Sequence, residues 1–174
     1  MRAAAFPGED PGTLRKPEEI LTAVHHYKTG ILFQCPWDIP RTIETVPEAD
    51  LAPLMEGLYR IGIGCQILDD MVDLALDIRS RKHNYLASLI YHGSDGEEKA
   101  RFARAMTADG RHTAALDIQR FPKAMQAAGK TARRFLSEGL TALFSEEDRH
   151  LVPPAIRFLE KRIGVSLPMP DAAP

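Results

Sequence analysis

Four aspartates and one glutamine in the stretch QILDDMVDLALD, residues 66–77, have the spacing of a single helical face. At roughly 100° per residue, with Gln66 at zero, Asp69 falls near 300°, Asp73 near 340°, Asp77 near 20° and Asp70 near 40°. Carboxylates that share a face repel one another, and burying them without cations is unfavourable. A divalent cation relieves that conflict. Ligands that are all oxygen suit Mg²⁺, which takes one or two carboxylates and completes its shell with water and substrate phosphate. An i, i+4 pair such as Asp69 and Asp73 can share one ion. A solvated acidic helix face is the alternative. The small, apolar stretch RIGIGCQIL running into the acids favours the metal site.

The stripe needs a helix to carry it. Leu51, Leu54, Met55, Leu58, Ile61, Cys65, Leu68, Val72 and Leu76 keep spacings of three, four and seven, which predicts one long, largely buried helix from about Glu48 to Ser80. Gly57, Gly62 and Gly64 lower its intrinsic propensity by about 1 kcal/mol each relative to Ala. Glycines retained inside a helix point to close approach of a neighbour or ligand. Upstream, a helix beginning at Pro17 covers EEILTAVHHYKTGILF and is expected to end at Pro36. Proline at the first turn with Glu18 and Glu19 behind it suits a helix start. Downstream come a basic connection at 79–84, a helix from Tyr85, a loop at 92–96 and a helix over 97–108. A further helix over 112–143 is expected to kink at Pro122. A last helix is introduced by Ser145 and Asp148 and ends near Gly164. Strand alternation and internal repeats are missing, so the fold class is all-α, a helical bundle. Residues 1–16 and 166–174 read as flexible tails around a single helical domain, 17–165.

The whole chain sets broad limits. It has 174 residues, 44% hydrophobic, with a formal net charge of −2. That length suffices for one domain with a real core, and the charge argues against a nucleic-acid partner. Nine acids and two arginines lie between Asp38 and Asp77, whereas nine Lys/Arg and four acids lie between Glu97 and Arg134. Cys35 and Cys65 fit no zinc or CxxC spacing and read as free thiols. The chain contains no apolar run of the roughly 18 residues needed for a membrane span and no secretory h-region. The expected setting is cytoplasmic. His25 and His26 project about 100° apart, too far for a joint metal site, and read as helix-surface residues. Nucleophile triads, GxGxxG and Walker loops are absent.

Gly62-x-Gly64-x-Gln66-Ile67-x-Asp69-Asp70-x-x-Asp73-x-x-x-Asp77 resembles the second aspartate-rich region of trans-isoprenyl diphosphate synthases, members of the class I isoprenoid synthase superfamily. Tyr27-Lys28-Thr29-Gly30-x-Leu32-Phe33 resembles that family's lysine–threonine element, at a fitting distance. The resemblance implies an isoprenoid-synthase-like helical fold that binds an allylic prenyl diphosphate through Mg²⁺ and promotes its ionisation for prenyl transfer. Asp69, Asp70 and Asp73 would serve the metal, with Asp70 a ligand or a group behind the ligands. Gln66 would help position the allylic substrate, and Lys28 and Thr29 would contact the diphosphate. Lys82, with Arg81 and Arg79 as rivals, would meet the leaving group. No first DDxxD lies upstream, so the resemblance covers only the C-terminal half to two-thirds of the family. It implies a homodimer, or association with a chain that supplies the missing half. The alternatives are a non-catalytic, prenyl-diphosphate-binding accessory subunit and a plain helical interaction protein with an acidic face.

Overall fold

The computed structural model describes residues 14–43, 47–107, 116–165 and 167. The described residues are mostly helical and contain no strand, which makes the protein all-α. The first helix opens with α1 (Pro17–Glu19), continues through a π-helical segment (Ile20–Gly30) and ends as α2 (Ile31–Ile43). Glu19 Oε2 accepts from the Lys16 backbone N–H at 3.1 Å, which secures the start. Hydrogen bonds from i to i+5 align residues five apart in the π segment. Its buried residues, Ile20, His25 and Gly30, have that spacing. Pro36 does not end the helix as expected, because α2 runs through both Pro36 and Pro40. Each proline removes one helical N–H and leaves a carbonyl one turn back without its partner. Leu32, one turn before Pro36, is 60% exposed, so the carbonyl that Pro36 leaves without a partner lies on a solvent-facing residue.

The long helix of the stripe is α3 (Glu48–Val72), followed by α4 (Leu74–Arg79). The single helix expected to reach Ser80 is broken at Asp73, where φ is −88° and ψ 6°. The cause is Asn84. Its Nδ2 donates to the Asp70 carbonyl at 2.6 Å, the group that a continuing helix would use four residues on. A side chain inserted into the i→i−4 ladder kinks a helix. The bonds from Asp73 N to Asp69 O and from Asp77 N to Asp73 O, both 2.8 Å, carry the turn across the break. Asn84 also caps α5 (Tyr85–His92) by accepting from Ala87 N at 3.0 Å.

After α6 (Gly96–Thr107) and a 3₁₀ turn (Ile118–Arg120) comes α7 (Pro122–Leu143). Pro122 begins this helix and does not kink a longer one. It sits at the first turn, where a missing N–H is harmless. The first-turn N–H groups of Lys123 and Ala124, which have no acceptor within their own helix, donate to the buried Glu98 carboxylate of α6, at 2.8 and 3.1 Å. One side chain thus caps α7 from a different helix. Glu98→Ala is expected to lower stability by about 2 kcal/mol, since it leaves two first-turn donors, one of them the buried Ala124 N–H, without an acceptor. Glu98→Gln, which keeps an acceptor, should lose less. Chemical unfolding of both variants checks the order.

A 3₁₀ turn (Arg149–Leu151) leads into α8 (Val152–Ile163), which ends at Gly164 with φ +96°. Ser145 and Asp148 close the turn before it, with Ser145 Oγ donating to Asp148 Oδ2 at 2.8 Å. The core sits around α3: Ile63, Ile67, Leu68 and Met71 pack with Leu74, Leu86, Ala128, Ala132 and Leu136. The glycines give α3 its close neighbours. A Cβ on Gly62 would lie 2.8 Å from the Thr29 carbonyl, and one on Gly139 would lie 2.6 Å from the Gly57 carbonyl.

Both expected tails are shorter than their sequence suggests. Leu14 is buried, Ser88 Oγ donates to the Arg15 carbonyl at 2.6 Å, and Leu167 packs over Gly129. Residues 1–13, 166 and 168–174 of those tails lie outside the described set. Among the described residues, no helix is long and apolar enough to cross a membrane.

Candidate functional site

The stripe divides by depth. Gln66, Asp70 and Asp77 are buried, while Asp69 and Asp73 are half-buried. Asp70 is turned fully inward. Its Oδ1 accepts from Gln66 Nε2 at 2.9 Å, and its Oδ2 accepts from His25 Nε2 at 2.9 Å and from the Tyr85 backbone N–H at 2.6 Å. Of the two roles expected for Asp70, a ligand or a group behind the ligands, the first meets a carboxylate with both oxygens occupied. The expectation that His25 is a surface residue is overturned as well, because it is 1% exposed. A regular helical wheel misplaces it; the five-residue repeat of the π segment brings it onto α3. His26 stays half-buried and bonds the Tyr59 hydroxyl through Nδ1 at 3.0 Å.

Gln66 joins the two motifs. Its Oε1 accepts from Thr29 Oγ1 at 2.6 Å, and its Nε2 also donates to Asp69 Oδ2 at 3.1 Å. Residues 37 positions apart in sequence thus meet in one hydrogen bond. Gly62 makes this approach possible by admitting the Thr29 backbone. Lys28, exposed on the same segment, reaches the stripe electrostatically. Burial pushes the Asp77 carboxyl above its ordinary range. The hydrogen bond from Asn84 opposes the rise, Asp70 and Asp73 add to it, and Lys28 opposes it. Asp77 accepts from Asn84 Nδ2 at 3.0 Å. Lys82 Nζ lies 3.9 Å from Asp77 Oδ1, so Lys82 closes the far end of the stripe. Arg81 is exposed with a left-handed φ of 51° and, like exposed Arg79, forms no ion pair among the described residues.

Two carboxylates keep oxygens to spare. Among the described residues the Asp69 carboxylate accepts only from Gln66, and the Asp73 side chain makes no hydrogen bond or ion pair. No group of three or more His, Cys, Asp or Glu is arranged to hold a metal by itself among the described residues. A half-buried carboxylate pair one turn apart fits an ion that takes its other oxygens from phosphate and water, which is the donor set of Mg²⁺. Further along the same side of α3, Tyr59 and Ile63 line a groove of about 280 Å³ with Glu18, Leu21, Thr22 and Phe135.

Sequence reasoning missed His25 and Asn84. Asn84 had a readable signal, an Asn directly before the apolar run YLASLI, which is a helix N-cap pattern. The Cys65 thiol is pushed up to about 11, by burial first and the Asp69 charge second. Alkylation at pH 8 is therefore expected to label exposed Cys35 quickly and leave Cys65 unmodified until the chain unfolds, a single-adduct pattern readable by intact mass.

No protein-family model, curated protein or solved structure matches the chain. The site is defined by its own geometry: an all-α bundle in which a Lys–Thr element and an aspartate stripe share one hydrogen-bonded face.

Proposed function

We propose that the protein binds an allylic prenyl diphosphate through Mg²⁺ and promotes its ionisation for prenyl transfer, its bundle being the C-terminal part of an isoprenoid synthase fold. The observation that carries this reading is the Thr29–Gln66 hydrogen bond, which puts the Lys28–Thr29 element on the face that carries Asp69 and Asp73. On this reading Asp69 and Asp73 hold the ion, and Lys28 and Thr29 contact the diphosphate. Lys82, ahead of Arg81, meets the leaving group. The apolar groove beside Tyr59 and Ile63 has room for part of an isoprenoid chain. A cation of this kind neutralises the departing diphosphate and lowers the barrier to ionisation.

One aspartate pair supplies half of a two-sided metal clamp, so turnover calls for a second aspartate-rich element facing Asp69 and Asp73. Val72 and Leu76 are about half exposed beside Asp69 and Asp73, and Tyr27, Ile31 and Leu32 are exposed beside Lys28. Such apolar surface suits a partner.

Calorimetric titration of inorganic pyrophosphate with and without Mg²⁺ tests the binding step. Binding that requires Mg²⁺ is expected, and Lys28→Ala should weaken it about tenfold, the worth of one charged hydrogen bond. Absence of binding in Mg²⁺ would sink the proposal. Pyrophosphate release from geranyl diphosphate, alone and with a first-motif chain, tests turnover. Mg²⁺-dependent binding with no release in either case would assign the accessory, non-catalytic role.

A further inference from the structure

We infer that Asp70 and His25 are positioning residues which lock the Gln66 amide, and through it set Thr29 and Asp69 for the ligand, without either touching metal or diphosphate. This rests on the site reading given above. A glutamine amide has a donor end and an acceptor end that a half-turn exchanges. Asp70 Oδ1 is a pure acceptor, so only the nitrogen of Gln66 can face it, at 2.9 Å. That choice fixes the rest. Gln66 Oε1 must then face Thr29 Oγ1, at 2.6 Å, and take its hydroxyl hydrogen. The outward side of the Thr29 oxygen is left with lone pairs. The second amide hydrogen falls to Asp69 Oδ2 at 3.1 Å, which restrains the carboxylate and leaves its Oδ1 open.

Asp70 can do this because it is itself immobilised. It is 1% exposed and receives His25 Nε2 and the Tyr85 backbone N–H on its other oxygen. Since Asp70 accepts, His25 carries its hydrogen on Nε2, and its buried Nδ1 has no hydrogen-bond partner. A buried polar atom left without a partner is unfavourable. The imidazole keeps this pose because its other nitrogen holds Asp70. Groups behind metal ligands that fix their orientation commonly change metal affinity tenfold to a hundredfold when removed.

The test is a double-mutant cycle on Mg²⁺-dependent pyrophosphate affinity, read well below each variant's melting temperature. Asp70→Asn is expected to weaken binding by about 10- to 100-fold. In a Gln66→Met background the same change should cause no further loss, because Asp70 acts through Gln66. His25→Gln, which keeps a donor, should retain more affinity than His25→Phe. If Asp70→Asn does not fold, the His25→Phe and Gln66→Met cycle makes the same comparison. Losses that add, or a lowered melting temperature with unchanged affinity, would overturn the inference while leaving the proposed function intact. A wild-type chain that binds no pyrophosphate in Mg²⁺ would instead overturn that function. Nitrogen-15 NMR of the wild type gives an independent reading: His25 should show a protonated Nε2 and a bare Nδ1, and the reverse tautomer would also overturn the inference.

Discussion

Replacing Asp69 and Asp73 together with asparagine is expected to remove Mg²⁺-dependent pyrophosphate binding, by at least about 100-fold. Loss of groups that merely orient a metal's ligands already costs tenfold to a hundredfold, and these two are the ligands themselves. They are also the half-buried members of the stripe, with oxygens that the fold does not use. Stability should therefore hold or rise slightly, since two like charges one turn apart are neutralised. Asp77→Asn is the matched control. Asp77 is buried against Asn84 and closed over by Lys82, so its neutralisation should leave much of the affinity in place. Calorimetry on the three proteins separates the outcomes. Equal losses from Asp77→Asn and the double variant would show that the site responds to total charge and not to a defined pair. Unchanged affinity in the double variant would move the ion elsewhere.

Gly139→Ala is expected to destabilise the fold by about 2 kcal/mol, opposite in sign to the usual effect of this substitution in a helix. Alanine is favoured over glycine in a helix interior by about 1 kcal/mol. Here the new methyl would lie 2.6 Å from the Gly57 carbonyl oxygen, 2.8 Å from Ile61 Cγ1 and 3.0 Å from Ile61 N. Two of those three atoms are backbone, so relief requires α3 and α7 to move apart along the main packing contact of the bundle. Overpacking of this kind costs about 1 to 3 kcal/mol, occasionally more. For a chain of this size the shift in Tm is about 4 to 8 °C downward. Gly64→Ala should be milder, because the nearest atoms belong to the Leu136 side chain, which can adjust. A Gly139→Ala protein that melts higher than the parent would contradict the observed crossing.

The two predictions locate what could be read from the residues alone. The apolar spacing of Leu51 through Leu68 is a local property, and it announced α3 because a buried helix must repeat its apolar positions near every third and fourth residue. The glycines at 57 and 62 announced close neighbours, since nothing else compensates their lower propensity. The prolines were harder. Pro36 and Pro122 carry the same local chemistry, yet one lies inside a helix and the other starts one. The difference comes from solvent at Leu32 and from the Glu98 carboxylate, which arrives from another helix.

The aspartate stripe shows the same division. Its spacing determined that five polar groups share one side of a helix, because side-chain direction along a helix follows from residue number alone. Which of them face water was decided by the tertiary structure. His25, Asn84 and the Tyr85 N–H come from elsewhere in the chain and claim Asp70 and Asp77, leaving Asp69 and Asp73 open. Spacing fixes angle around one helix axis. Depth depends on what packs against that helix, and on donors that only the folded chain brings within hydrogen-bond reach.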